Sequence, residues 1–305
     1  MTLWPPRGVR LRHLAAALLL VAPIAAGCGK KEPPAPAQPE APAPAASEVK
    51  LAPQPEAKAT PAAAPARDRL HQPFAEATRD GDNPPVGAIK PPDETASGKP
   101  VFRLLEQVQK TWDQVRFVSP AGRKITYTAV VETSEGEVHI ALFPELAPNH
   151  VRNFICLARA GYYDELFFDR CRHEEVDGQV LRALEGGCPL GSGDSITGSI
   201  GYWLKDELAP AEAATHEEGA VGACRGEEAD SAATRFYITL DKAPFLDGNF
   251  TLFGKVVQGL DVVRRIYAQP VVAEDKGRDG ARRPEMPVVI RKVTVHAKEL
   301  EATSK

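Results

Sequence analysis

The side chains with the most obvious chemical potential fall in two trios of the same type. Residues 173–175 and 216–218 both read His-Glu-Glu, and imidazole and carboxylate groups can bind metals. A structural zinc site usually draws its ligands from closely spaced pairs of Cys or His, and no such pair in the sequence resembles a zinc site. The pattern therefore favours solvated charges in loops, and we expect no metal site.

The apolar pattern around these residues changes from helix to strand along the chain. Apolar residues within 100–117 recur at the spacing of one helix face, which predicts a helix packed on the following domain. A separate helix that recruits a partner is the alternative. Alternation with period two then predicts a hairpin over residues 126–142, and Pro148 begins a helix that Gly161 ends.

Six further strands and one more helix complete the predicted domain. The helix covers residues 260–268, and the strands cover residues 166–171, 180–185, 220–224, 236–240, 251–257 and 288–295. Eight short strands with two helices indicate a mainly β fold, namely a closed eight-stranded antiparallel barrel capped by two helices, with an N-terminal helical extension.

Composition excludes two broad classes. The chain has 37 Lys and Arg against 41 Asp and Glu, so it lacks the basic excess of a nucleic-acid-binding protein. Its hydrophobic share of 43% can support a core, which excludes disorder of the whole chain. Proline is in excess at 28 residues, and ten of these lie between Pro33 and Pro65.

The N-terminus has the layout of an export signal. Three arginines precede a short apolar run over residues 14–26, and small residues then lead to Cys28. This arrangement resembles a bacterial lipobox, which implies lipidation of Cys28 and an anchor at the cell envelope. Gly29 implies the periplasmic side of the outer membrane. An ordinary cleaved signal with an incidental cysteine is the alternative.

These patterns divide the chain into five segments. They are a lipoprotein signal peptide (1–27), an anchor with a Pro/Ala-rich disordered tether (28–66), a pre-domain segment with the amphipathic helix (67–123), the barrel domain (124–298) and a C-terminal tail (299–305).

From about residue 127 to residue 295 the sequence resembles a cyclophilin-type peptidyl-prolyl isomerase. The strongest stretches are residues 132–164, 186–208 and 235–263. The resemblance implies catalysis of prolyl cis–trans isomerisation, with proline-containing segments of exported proteins as substrates, no cofactor and a monomeric state. A barrier of about 18–20 kcal/mol separates the two amide isomers. A fixed cation or donor can lower it by stabilising the twisted amide.

The resemblance places the catalytic arginine at Arg170, preceded by Asp169 where the family usually has histidine. A surface ion pair between these two residues is the alternative. The other site positions that it implies, all substrate-binding, are Glu185, Arg225, Arg235, Tyr237, Phe245, Leu246 and Phe250. Glu185 and Arg235 stand where the family usually has glutamine. The added charges leave open a second function, a catalytically weak or inactive module that binds peptides.

The stretch between Arg170 and the glycine pair at 186–187 is about seven residues longer than in the family, which implies an inserted loop. Residues 180–183 are the candidates for the aromatic and methionine positions of the pocket. An even set of four cysteines in an oxidising compartment permits disulfides. We expect one to pin the inserted loop, through Cys188 with either Cys171 or Cys224.

Overall fold

The computed structural model describes residue 70 and residues 72–176, 178–193, 198–210, 212–272 and 281–301. The predicted signal peptide, Cys28 and the tether lie outside these residues. No helix in the described part of the chain is long and apolar enough to cross a bilayer.

The described residues form eleven strands, four α-helices and two short 3-10 helices. In chain order these are α1 (Phe74–Ala77), β1 (Thr78–Asp80), α2 (Val101–Thr111), η1 (Trp112–Gln114), β2 (Ile125–Thr133), β3 (Gly136–Leu142), α3 (Pro148–Arg159), β4 (Leu166–Val176), β5 (Gln179–Gly186), β6 (Tyr202–Leu204), β7 (Ala220–Ala223), β8 (Phe236–Thr239), η2 (Pro244–Leu246), β9 (Leu252–Gln258), α4 (Leu260–Tyr267), β10 (Ala281–Arg282) and β11 (Val288–Glu299).

Eight of the strands close into an antiparallel barrel. The order is β4-β11-β2-β3-β9-β7-β8-β5, and β5 pairs back onto β4, so the sheet has no free edge among these strands. Each of these eight corresponds to a strand predicted from the sequence, and the predicted fold class is confirmed. Strand β10 adds to β4 outside the closed ring. Helices α3 and α4 bury their apolar faces in the barrel core.

The predicted inserted loop is instead a longer β-hairpin, so this prediction was wrong. Strands β4 and β5 stay paired out to Val176 and Gln179, well beyond the expected ends at residues 171 and 180. The extra residues pair their backbone groups with one another across the hairpin, from Arg172 opposite Ala183 to Val176 opposite Gln179. One consequence is that residues 173–175 lie on a strand.

The N-terminal extension packs on the barrel, as its apolar stripe predicts. Val101, Leu104 and Val108 of α2 belong to the same core cluster as the barrel strands. Strand β1 pairs with β6, and the indole N–H of Trp112 donates to the carbonyl oxygen of Gln72 at 3.0 Å. The helix is shorter than predicted, because η1 follows it and Val115 is already extended while still buried.

Candidate active site

A cavity of about 420 Å³ opens where strands β4, β5, β7 and β8 meet the segment around η2. The described residues that line it are Arg172, Leu181, Ala183, Glu185, Cys224, Arg225, Gly226, Glu227, Tyr237, Leu246 and Phe250. One part of the lining is therefore apolar and aromatic, and another part, the charged wall, carries ionised side chains such as Arg172 and Glu185.

The apolar floor is built from Tyr237, Leu246 and Phe250. Leu246 is almost fully buried, and the ring of Phe250 meets the ring of Tyr237 edge-on at a centroid distance of 6.2 Å. Phe245 packs against the same small cluster. A Cβ atom at Gly222 would overlap the phenol of Tyr237, so only glycine leaves room for this ring.

A buried polar chain holds the floor from below. His216 Nε2 lies 2.9 Å from the hydroxyl oxygen of Tyr237, and Nδ1 lies 2.7 Å from Asp247 Oδ1. Burial lowers the pKa of His216, and the Asp247 carboxylate opposes that shift. Burial also raises the pKa of Tyr237 well above its ordinary value. A neutral imidazole that donates its Nδ1–H to Asp247 can thus accept a hydrogen bond at Nε2 from the Tyr237 hydroxyl, which fixes the orientation of the tyrosine ring.

The charged wall is a network of carboxylates and guanidinium groups. Glu185 accepts from Arg172 Nε and from Arg235 Nη2, both at 2.8 Å. Arg235 Nη2 also donates to Asp169 Oδ1 at 3.0 Å, and Arg172 Nη1 donates to Glu174 Oε2 at 3.0 Å. Asp169, Glu185 and Arg235 are nearly inaccessible, so their charges depend on one another.

The pKa values in this network follow from burial set against charge pairing. Desolvation would raise the pKa of Glu185, but Arg235 and Arg172 outweigh it and lower the pKa. The pKa of Asp169 is raised, because its desolvation exceeds the effect of its single guanidinium partner Arg235. Desolvation alone would lower the pKa of Arg172, but the charge of Glu185 and their hydrogen bond raise it.

Arg225 covers the outer end of the floor. Its guanidinium carbon lies 4.9 Å from the centroid of the Phe250 ring, within reach of a cation–π interaction. Its Nη2 donates to the Asn249 carbonyl oxygen at 2.9 Å, and its Nε lies 3.8 Å from Asp206 Oδ2. Arg225 is thus held against the segment that carries Asn249 and Phe250.

The structure brings most of the predicted site residues together. Five of them line the cavity, and these are Glu185, Arg225, Tyr237, Leu246 and Phe250. Phe245 lies beside the floor, and Arg235 lies behind the charged wall. Arg170 is buried and is not among the described residues that line the cavity. Asp169, the residue before it, pairs with Arg235.

Three residues line the cavity that were not predicted from the sequence, namely Arg172, Gly226 and Glu227. The position of Arg172 could have been predicted, since it is two residues beyond Arg170 at the end of a predicted strand and residues two apart on a strand face the same side. Leu181 and Ala183, from the stretch expected to fill the pocket, also line it.

The four cysteines in the described residues are free and buried, so the predicted disulfide of Cys188 with Cys171 or Cys224 is absent there. Cys171 belongs to the core cluster of the barrel, whereas Cys224 belongs to the small apolar cluster that includes Tyr237 and Leu246 of the cavity floor. Burial raises the pKa of Cys171 to about 12, which suppresses formation of the reactive thiolate.

The two His-Glu-Glu trios lie apart and differ in environment. His216 is buried under the cavity floor, whereas His173 lies exposed on β4. The described residues contain no group of three or more His, Cys, Asp or Glu side chains placed to hold a metal ion.

Comparison with known families decides the relationship. The family model described as "Cyclophilin type peptidyl-prolyl cis-trans isomerase/CLD" matches residues 128–295, more than half of the chain. The chain belongs to the cyclophilin family. The matched region contains every barrel strand except part of β2 and β11.

Curated relatives of this cyclophilin fall into a short and a long class. Peptidyl-prolyl cis-trans isomerase B of Bacillus subtilis is 36% identical over 138 residues, which are 45% of this chain and 88% of that protein. Peptidyl-prolyl cis-trans isomerase 9 of Schizosaccharomyces pombe is 36% identical over 141 residues, but the chain covers only 21% of its length. Peptidyl-prolyl cis-trans isomerase-like 2 of Rhizopus delemar is 29% identical over 62% of this chain, and the chain covers 32% of that protein's length.

Among solved structures, a cyclophilin-type isomerase of Cryptosporidium parvum matches 56% of this chain and 98% of its own, with a TM-score of 0.46 and 22% sequence identity. A second structure of that protein was determined in the presence of the dipeptide Ala-Pro.

Proposed function

We propose that this cyclophilin is a peptidyl-prolyl cis–trans isomerase that assists the folding of exported proteins at the cell envelope. One observation carries the proposal: a single cavity combines the apolar floor of Tyr237, Leu246 and Phe250 with a guanidinium wall. The floor fits the ring of a proline, which is apolar and has no N–H to satisfy.

The chemistry needs only binding and one donor. When the X–Pro amide twists, its nitrogen loses resonance with the carbonyl group and becomes a better hydrogen-bond acceptor. A guanidinium fixed beside that nitrogen stabilises the twisted state more than either planar isomer. Strand β4 supplies two arginines at this place, Arg170 opposite Glu185 and Arg172 opposite Ala183 of β5.

The activity is tested by exchange NMR on a short peptide with one Ala-Pro bond, using the full chain. We expect exchange between the cis and trans signals to accelerate in proportion to protein concentration. Shifted peptide signals without acceleration would support the alternative, a cyclophilin-fold module that binds peptides. The charges of Glu185 and Arg225 in the cavity lining are the feature that favours this alternative, because they stand in a pocket that has to accept an apolar proline ring.

The location rests on the sequence of the N-terminus. We propose that the mature protein begins at a lipidated Cys28, is held at the periplasmic side of the outer membrane and works as a monomer at the end of its Pro/Ala-rich tether. Mass spectrometry of the N-terminal peptide tests the anchor. We expect an acylated Cys28 and loss of the protein from the membrane fraction in Cys28→Ser, whereas an unmodified N-terminus at another residue would contradict it.

A further inference from the structure

Two arginines compete for the catalytic position on strand β4. Arg170 lies opposite Glu185, and Arg172 lies opposite Ala183. Being two residues apart on one strand, both project toward the same side of the sheet. Family resemblance selects the first of them, but the surroundings of the two side chains differ.

The side chain of Arg170 is buried beside Gly193. Only 5% of Arg170 is exposed, and its stem lies against Gly193. A Cβ atom at Gly193 would lie 2.6 Å from Arg170 Nε, so a side chain at that position is sterically excluded. Gly193 has a φ of +67°, a conformation that favours glycine. Arg170 is thus packed on this turn, away from the described cavity lining.

Arg172 is presented to the cavity and is held in place from two sides. Its Nε donates to Glu185 and its Nη1 donates to Glu174. Among the residues that the structure describes, none accepts a hydrogen bond from its Nη2, although the side chain is only 19% exposed. A guanidinium is planar, so two fixed nitrogens determine the orientation of the third. The charge of Glu185 also keeps Arg172 protonated.

We propose that Arg172 is the catalytic residue of this site. In the twisted state of the substrate, its Nη2 group donates a hydrogen bond to the nitrogen of the X–Pro amide bound over Tyr237. No covalent bond forms or breaks, and no proton is transferred. Glu185 and Glu174 orient the guanidinium before the substrate arrives, so little reorganisation is needed at the moment of rotation. Arg170 supports the turn at Gly193. This inference rests on the proposed isomerase function.

The test compares full-length variants by exchange NMR on the same Ala-Pro peptide, with peptide affinity measured by titration. We expect Arg172→Ala to lower kcat/KM about 100-fold or more, as removal of one fixed donor does elsewhere, with peptide affinity changed less than about threefold. Arg172→Lys retains a charge near Glu185 but loses the planar fork, so we expect an intermediate loss.

Two further variants separate catalysis from folding. Arg265→Ala is the matched control, because this arginine lies on α4, outside the described cavity lining, and pairs with Asp261 at the surface. We expect it to retain wild-type activity. Arg170→Met keeps most of the buried stem of the side chain. We expect this variant to have a lower free energy of unfolding than the wild type but to retain most of its kcat/KM.

The outcomes distinguish the proposed function from the role of Arg172. An inactive wild type would overturn the proposed function and the role of Arg172 together. An active wild type with an equally active Arg172→Ala would overturn only the role of Arg172, as would abolished catalysis in folded Arg170→Met with Arg172→Lys unaffected. If Arg172→Ala does not fold, the folded Arg172→Lys decides: a loss with unchanged affinity supports the assignment, and no loss contradicts it.

Discussion

The sharpest test of how the charged wall is held concerns Glu185 and Arg235. The family usually has glutamine at both positions, whereas this chain has a buried ion pair with an Nη2–Oε2 distance of 2.8 Å. Each of these two residues also forms a second ion pair: Glu185 pairs with Arg172, and Arg235 pairs with Asp169. We consider Glu185→Gln, Arg235→Gln and the double variant that has glutamine at both positions.

The expected magnitudes follow from the hydrogen bonds and ion pairs that each substitution weakens. Glu185→Gln removes the charge from two hydrogen bonds that are each worth about 1.5–3 kcal/mol, so we expect the free energy of unfolding to fall by up to about 3–6 kcal/mol. Arg235→Gln leaves Asp169 fully buried without its cation and costs about 3–5 kcal/mol. Because the double variant removes a charge of each sign, we expect it to cost about 2–3 kcal/mol less than the sum of the single changes.

Urea unfolding at pH 7, followed by fluorescence, measures these values. Trp112 and Trp203 are buried in the folded protein, so their emission reports the loss of the folded state. Linear extrapolation gives the free energy in water for the four proteins. Additivity of the two single changes within about 0.5 kcal/mol would refute the coupling on which this reasoning depends.

Three further predictions follow from buried groups elsewhere. The pKa of His216 is lowered from 6.5 by burial, so the unfolded chain binds its proton first. Stability should therefore be complete above about pH 6.5 and decline as pH falls through the folded pKa, and a decline that is unchanged in urea titrations of His216→Gln would contradict this. Trp112→Ala should lower the free energy of unfolding by about 3–5 kcal/mol, because this side chain is fully buried. Phe102→Ser, on the exposed face of the preceding helix α2, should change it by less than about 0.5 kcal/mol. Equal effects in urea unfolding would contradict packing of the N-terminal extension on the barrel. Alkylation in denaturant without reductant should label all four of the described cysteines, and a mass that shows two of them unlabelled would establish a disulfide.

The barrel could be predicted because its information is local. Each hairpin and helix has a period, a turn and a cap within a dozen residues, so the positions of β2, β3, α3 and α4 follow from the printed sequence. Closure then follows from the number of strands, since eight short strands in succession suit a barrel. The error at β4 and β5 has the same origin: charged residues at 172–175 resemble a loop, but the pairing that makes them a strand is supplied by residues 179–183.

The site could be predicted only in part, because its decisive contacts join distant residues. The apolar floor is recognisable in the sequence, since Tyr237, Leu246 and Phe250 follow the order of the family. The difference between Arg170 and Arg172 is not local. It depends on Gly193 filling the space beside the first arginine and on Glu185 reaching the second.

Residue types and their periods thus determine which strands form and which side chains face outward from the barrel. They cannot determine which buried carboxylate pairs with which arginine. Asp169 and Arg235 are 66 positions apart in the chain, and Glu185 and Arg235 are 50 apart. Such pairs form only after the barrel has closed, because closure brings the strands together and removes the water that would otherwise satisfy each charge separately.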